Sequence, residues 1–284
     1  MGRASSEDLP DVLLLFGGPG GERLVSVASA QNVGRLLPEA ALWFWAPAGS
    51  VHRVSRAALL EHQRPFEVEL QPDAPAFAPS LPAALDSLES RDSVFFLALH
   101  GDSGEDGTVQ DWLESRGLGF TGSSAEACRK AMDKLHAKAL VQAQGVRVPA
   151  GERLAGDLAR VRQQLQALRE RLGELVLKPL AEGSSTGLLF VETEEDLERA
   201  AAAAASQPER AYFAEACVKG VELTVGVLDD GNGLRELPCS EVRLAAGGRF
   251  DYEGKYLGRG TTEITPAEVP EPIAQAAQEV AKQA

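Results

Sequence analysis

Residues 93–110 read SVFFLALHGDSGEDGTVQ, an apolar run that stops at a His-Gly pair and gives way to acidic residues among glycines. So short a run between turn signals fits a buried strand. Gly101 opens the turn, and Glu105 and Asp106 stand where a following helix would begin. The pattern occurs earlier too. DVLLLFGG (residues 11–18) closes on two glycines, and LVSVASAQNVGRLL (24–37) follows with apolar residues at helical spacing. ALWFWAP (41–47) adds another strand. Strands alternating with helices predict an α/β unit with a parallel sheet covered by helices. Ligands of such sheets bind beyond the carboxyl ends of the strands, where Gly17, Gly18, His100 and Gly101 fall.

Further along, the spacing predicts a helical region over 123–145, a charged amphipathic helix over 157–173 and a strand in ELVLKPL (174–180). TEEDLERAAAAAAS (193–206) has a threonine N-cap, an acidic first turn and a run of alanines, so helix propensity accounts for it. DDGNG (229–233) predicts a hairpin, and the glycine-rich stretch 245–263 a long functional loop. The last helical pattern, around Ile273 and Val280, runs to Ala284 without a closing glycine or proline.

Composition bounds the partners. A net charge of −14 argues against a nucleic-acid or anionic-membrane surface, while an anionic small molecule could still bind a locally positive cleft. Cys128, Cys217 and Cys239 match neither a disulfide framework nor a zinc pattern, and read as buried thiols. There is no signal peptide or membrane-spanning run, so a cytoplasmic protein is expected.

The residues on their own leave alternatives open. KPLAEGSSTG (178–187) could present backbone N–H groups, hydroxyls and the Lys178 charge to phosphates, or could be a polar hairpin. It is not a Walker A loop, because the lysine precedes the glycines. Glu22, after the glycines of FGGPGGE (16–22), could receive an ammonium or merely complement a helix dipole. His100 could be structural. By pattern alone Lys134 and His136 are solvated helix surface, and Glu215 and Glu222 are surface carboxylates of strands.

The order of the blocks is more specific than any of them. LLFGGPGGERLVSVASAQNV, LALHGDSGEDGTVQDWLESRGLGFTGSSAEACRKAMDK, LKPLAEGSSTG and DYEGKY together closely resemble the D-alanine–D-alanine ligases of the ATP-grasp superfamily. The resemblance implies an α/β ATP-grasp fold preceded by an N-terminal parallel-sheet domain, with the C-terminal domain incomplete. The corresponding divisions are 1–122, 123–217 and 218–284, with a mobile loop at 246–262. It implies ATP and Mg²⁺ as cofactors, D-alanine as substrate and a homodimer as the family expectation. Lys134, Lys178 and the loop residues Glu182, Gly183, Ser184 and Ser185 would attend the nucleotide phosphates. Glu215, Ala216, Cys217 and Val218 would meet the adenine, and Glu222 the ribose. Glu22 would receive the first D-alanine's ammonium, with Ser184 and Tyr256 as its hydrogen-bonding companions. His100, Glu105 and Lys255 belong to the same substrate site.

Two departures from the family pattern stand out. Family members usually read SAE where this chain has GGE at 20–22. The family also continues past residue 284 with the Mg²⁺ ligands, so the expectation is a metal site beyond Ala284 and little ligase turnover from these residues alone. The alternative is a shortened, inactive relative that binds nucleotide or D-alanine.

Overall fold

The computed structural model describes residues 11–90, 92–244 and 260–284, which fall into two compact units, up to Met132 and from Asp133 onward. Among the described residues the first unit holds a sheet of β1 (Val12–Gly17), β2 (Ala41–Trp45), β3 (Val51–Arg53), β4 (Ala76–Ala78), β5 (Val94–Leu97) and β6 (Gly119–Phe120). Its helices are α1 (Arg23–Leu36), α2 (Arg56–Leu60), α3 (Leu81–Asp86), α4 (Asp102–Glu105), α5 (Thr108–Glu114) and α6 (Ala125–Met132). The strand order is β4-β3-β2-β1-β5-β6. β1 pairs in parallel with β2 and β5, and β5 with β6. The β2-β3 and β3-β4 pairs are antiparallel, an edge that periodicity did not separate from loop because those strands are so short.

β1 explains why its sequence is apolar throughout. Leu13 and Leu15 enter a core with Trp43, Phe95 and Leu113, while Leu14 and Phe16 enter another with Val27, Leu42 and Phe44. Side chains alternate across a strand, so burial on both faces leaves no position for a polar residue. At its end Gly17 has φ +91, and a Cβ there would strike the Trp45 carbonyl. Only glycine takes this turn without strain.

The second unit contains α7 (Lys134–Ala143), α8 (Leu158–Leu172), α9 (Glu194–Ser206) and α10 (Glu271–Gln283). One sheet, in order β7-β10-β8-β9, joins Gly151–Arg153, Tyr212–Ala216, Leu175–Pro179 and Leu189–Val191. A second joins β11 (Glu222–Thr224), β14 (Ser240–Leu244) and β15 (Thr261–Ile264). The DDGNG hairpin forms between β12 (Val227–Asp229) and β13 (Leu234–Glu236), as expected.

Caps fix the helices of this unit. Asp157 accepts a hydrogen bond from the Arg160 N–H at 2.9 Å, and Thr193 with Asp196 makes a capping box. The helical stretch 123–145 is broken at Asp133, whose carboxylate accepts from the N–H groups of Leu135 and His136 and so starts α7. One face of the β7–β10 sheet presents Leu175, Leu177, Tyr212 and Ala214 to Val161, Leu165 and Leu197 of α8 and α9.

One expectation needs correction, and others fall wholly or partly outside the described residues. Cys239 is buried, but Cys128 and Cys217 are only partly so. Of the expected loop 246–262 only 260–262 are described, and Thr261 and Thr262 already pair in β15 against Leu244 and Arg243. Lys255 and Tyr256 lie outside the described residues. Among the described residues no helix is long and apolar enough to cross a membrane.

Candidate functional site

In the first unit the candidates gather beyond the carboxyl ends of β1 and β5. Glu22 is the N-cap position of α1, with no side-chain cap bond, and its carboxylate lies against Gly101, where any Cβ would collide with it. His100 Nε2 is 2.8 Å from Ser29 Oγ, and its Nδ1 is 3.9 Å from Glu105 Oε1. Burial holds the imidazole below its ordinary pKa, and the Glu105 carboxylate partly opposes that. Glu22 thus lies against Gly101, the residue next to His100, and Glu105 lies beside the imidazole. A narrow crevice beside them is lined by Gly18, Gly20, Leu99, His100 and Gly104.

Two positioning groups here were not legible in the sequence. Buried Ser26 accepts the Gly17 N–H at 2.7 Å and donates to the Ala98 carbonyl at 2.6 Å, stitching the ends of β1 and β5 together. Asp102 accepts the Gly21 N–H at 3.0 Å. Its carboxylate fills the space a side chain at position 20 would need. Gly20 is therefore packed against Asp102, whose bond to the Gly21 N–H spans 81 residues, and no local pattern could have disclosed that.

In the second unit the site is built on the sheet face opposite the α8–α9 core. Lys178 pairs with Phe213 across β8 and β10, and Val176 with Glu215, so these four side chains share that face. Glu215 is 5% exposed, which corrects its reading as a surface carboxylate. Its Oε1 accepts from Lys178 Nζ at 2.6 Å and its Oε2 from Lys138 Nζ. Lys134 is not free surface either: its Nζ donates to the carbonyls of Leu180 (3.3 Å) and Glu182 (2.5 Å), where the 180–187 loop leaves β8.

Within that loop Ser184 and Ser185 have φ of 48° and 59°, and Gly187 has φ 70°. Two consecutive non-glycine residues in the left-handed region are a costly choice for a plain turn, and such outliers gather at ligand clamps. The Gly183 carbonyl accepts the Thr186 N–H at 3.0 Å, and Glu182 pairs with Arg210 at 2.7 Å. Beyond β10, the Cys217 N–H donates to the Glu174 carbonyl, which fixes the chain after Ala216. Val218 is 74% exposed, and Glu222 begins β11 on an exposed position. Lys138 escaped sequence reading, although its i+4 spacing from Lys134 was the available signal, since that spacing puts both on one helix face. A larger groove along α8, lined by Glu152, Arg160, Gln164 and Arg171, contains none of these residues. Among the described residues no group of three or more His, Cys, Asp or Glu is arranged to hold a metal ion.

Residues 11–123 match the family model for the D-ala D-ala ligase N-terminus, and residues 140–284 match that for the D-ala D-ala ligase C-terminus. The chain belongs to the D-alanine–D-alanine ligase family. A D-alanine–D-alanine ligase of Nitrosomonas europaea is 33% identical over 265 residues, 93% of this chain and 73% of that relative. One from Bordetella avium is 39% identical over 190 residues, 66% of this chain. The match spans 58% of the Bordetella avium relative's own length and 53% of a Bordetella petrii relative's. Solved structures share the fold. The VanG D-Ala:D-Ser ligase of Enterococcus faecalis superposes with a TM-score of 0.75 at 23% identity, covering 97% of this chain and 82% of that one. The Coxiella burnetii D-alanine–D-alanine ligase gives 0.71 at 24% identity, covering 96% and 76%. The architecture is accordingly the family's ATP-grasp fold preceded by a domain built on a sheet with a parallel centre.

Proposed function

We propose that this chain works in the ATP-dependent joining of two D-alanines to D-alanyl-D-alanine, an ADP-forming ligation that supplies peptidoglycan precursors. The observation that carries the reading is the pair of ammonium groups on Lys134 and Lys178, set where the 180–187 loop leaves β8. Two cations beside a loop with left-handed serines suit a polyphosphate.

In this reading Lys134, Lys178 and the loop residues Glu182, Gly183, Ser184 and Ser185 attend the phosphates. Glu215 to Val218 line the adenine, and Glu222 meets the ribose. Glu22 takes the first D-alanine's ammonium, with His100, Glu105, Ser184, Lys255 and Tyr256 completing the amino-acid site. A tyrosine at 256 suits a dipeptide rather than a depsipeptide product. The functional divisions are 1–122, 123–217 and 218–284.

The first D-alanine carboxylate attacks the γ-phosphate, forming an acylphosphate and releasing ADP. The second D-alanine's amine then attacks the acyl carbon, a C–N bond forms as the amine loses a proton, and the acyl C–O bond breaks with its electron pair leaving on inorganic phosphate. Phosphoryl transfer depends on positioning and charge neutralisation, which the two lysines serve. An acylphosphate hydrolyses if wetted, so the 180–187 loop acts as a cover.

Calorimetric titration with ATP tests the nucleotide site. Losing one charge-assisted contact should weaken binding in Lys178→Ala by about tenfold or more. Unchanged affinity would remove the phosphate assignment. D-alanine-dependent phosphate release from ATP tests the activity, and its absence while ATP binding persists would leave a nucleotide-binding module in place of a ligase.

A further inference from the structure

The Glu215 carboxylate is shared between two lysines that are held very differently. Lys138 Nζ also donates to the Pro149 carbonyl at 2.7 Å and stands 5.5 Å from the centroid of the Phe213 ring. Its side chain is 20% exposed. Lys178 is 31% exposed and its Nζ is bound to Glu215 Oε1. Two ammoniums around one carboxylate leave one positive charge in excess, and Lys178 is the lysine with room to move.

We propose that Lys138 is a positioning residue that makes Lys178 available to a nucleotide phosphate by keeping Glu215 paired when Lys178 turns away. This rests on the assignment of Lys178 to the phosphates. The reason is the cost of an orphaned charge. The Glu215 side chain is 7% exposed, and stripping a buried carboxylate of its partner is strongly unfavourable. With Lys138 anchored on Oε2, Lys178 can leave Oε1 for a phosphate oxygen while the carboxylate keeps a counter-ion. Without Lys138, Glu215 would compete with the phosphate for Lys178.

Titration of the full chain with ATP across a double-mutant cycle tests this. Lys138→Met should weaken ATP binding about tenfold, because Glu215 then captures Lys178. In a Glu215→Gln background no carboxylate remains to capture it, so the same change should alter affinity by less than about twofold. Lys138→Arg should stay close to the parent. An equal loss from Lys138→Met in both backgrounds would overturn the proposal, since it would mean direct phosphate contact or general damage. Thermal melts monitor folding, and if Lys138→Met is too unstable to titrate, Lys138→Gln carries the same comparison. Lys178→Met separates the two levels of argument. If it leaves ATP affinity unchanged, the phosphate assignment itself fails. If it weakens binding and the cycle shows no coupling, only the role of Lys138 fails.

Discussion

Replacing Gly20 by serine would restore the residue the family usually carries there, yet it should destabilise this chain. Gly20 does not have a positive φ, so the obstacle is space rather than backbone conformation. A Cβ at position 20 would fall within bonding-like distance of Asp102 Oδ2, and Asp102 Cβ and Cγ both lie at 3.2 Å. The clash involves the root of the aspartate as well as its tip, so the whole side chain must swing and release the Gly21 N–H. Overpacking costs about 1–3 kcal/mol. The hydrogen bond is exposed, so its loss adds at most about 1 kcal/mol. Gly20→Ser should therefore cost about 2 kcal/mol, within the range these terms allow. Asp102→Gly loses the same hydrogen bond but relieves a φ of 39°, and should cost less than about 1 kcal/mol. In the double variant the serine meets no carboxylate, so its cost should fall by about 1 kcal/mol or more. Urea unfolding followed by tryptophan fluorescence is well placed to read this. Trp43, Trp45 and Trp112 all belong to the first unit, and the three are all the tryptophans of the chain. Additive costs, agreeing within about 0.5 kcal/mol, would show that Asp102 does not fill the space at Gly20 and would refute the reasoning.

Two further outcomes follow from other parts of the fold. Burial holds the His100 imidazole below its ordinary 6.5, so the unfolded chain binds the extra proton first. Stability should fall as pH drops through about 6.5 and level off below the folded value, and His100→Gln should flatten that part of a melting-temperature profile. An unaltered slope between pH 7 and 5 would dissociate His100 from it. Thr193→Ala removes the capping-box hydroxyl that accepts the Asp196 N–H at 3.1 Å, and should cost about 1 kcal/mol by urea denaturation. A change near zero would mean that Asp196 alone, through the Thr193 N–H at 2.9 Å, holds the start of α9.

The sequence by itself determined the longer elements, because their causes are local. The apolar runs of β1 and β5, the caps at Asp157 and Thr193 and the DDGNG turn each follow from periodicity and nearby hydrogen bonds. The order of motifs also brought out the family and its candidate residues. What it could not supply were contacts between residues far apart along the chain. The antiparallel edge of β3 and β4 emerged only from pairing, since a three-residue strand has too little period to detect. Glu215 looked like an alternating surface carboxylate, and Lys134 like a solvated helix charge. Folding buried the first between Lys178 and Lys138, respectively 37 and 77 residues away, and turned the second onto the carbonyls of the 180–187 loop. Likewise, GGE read as a departure from a motif until Asp102 filled the space beside it. Periodicity decides which face of an element is buried. Which charge sits against which is settled only when the sheet brings distant strands together, because a buried charge needs a partner and the tertiary structure alone supplies one.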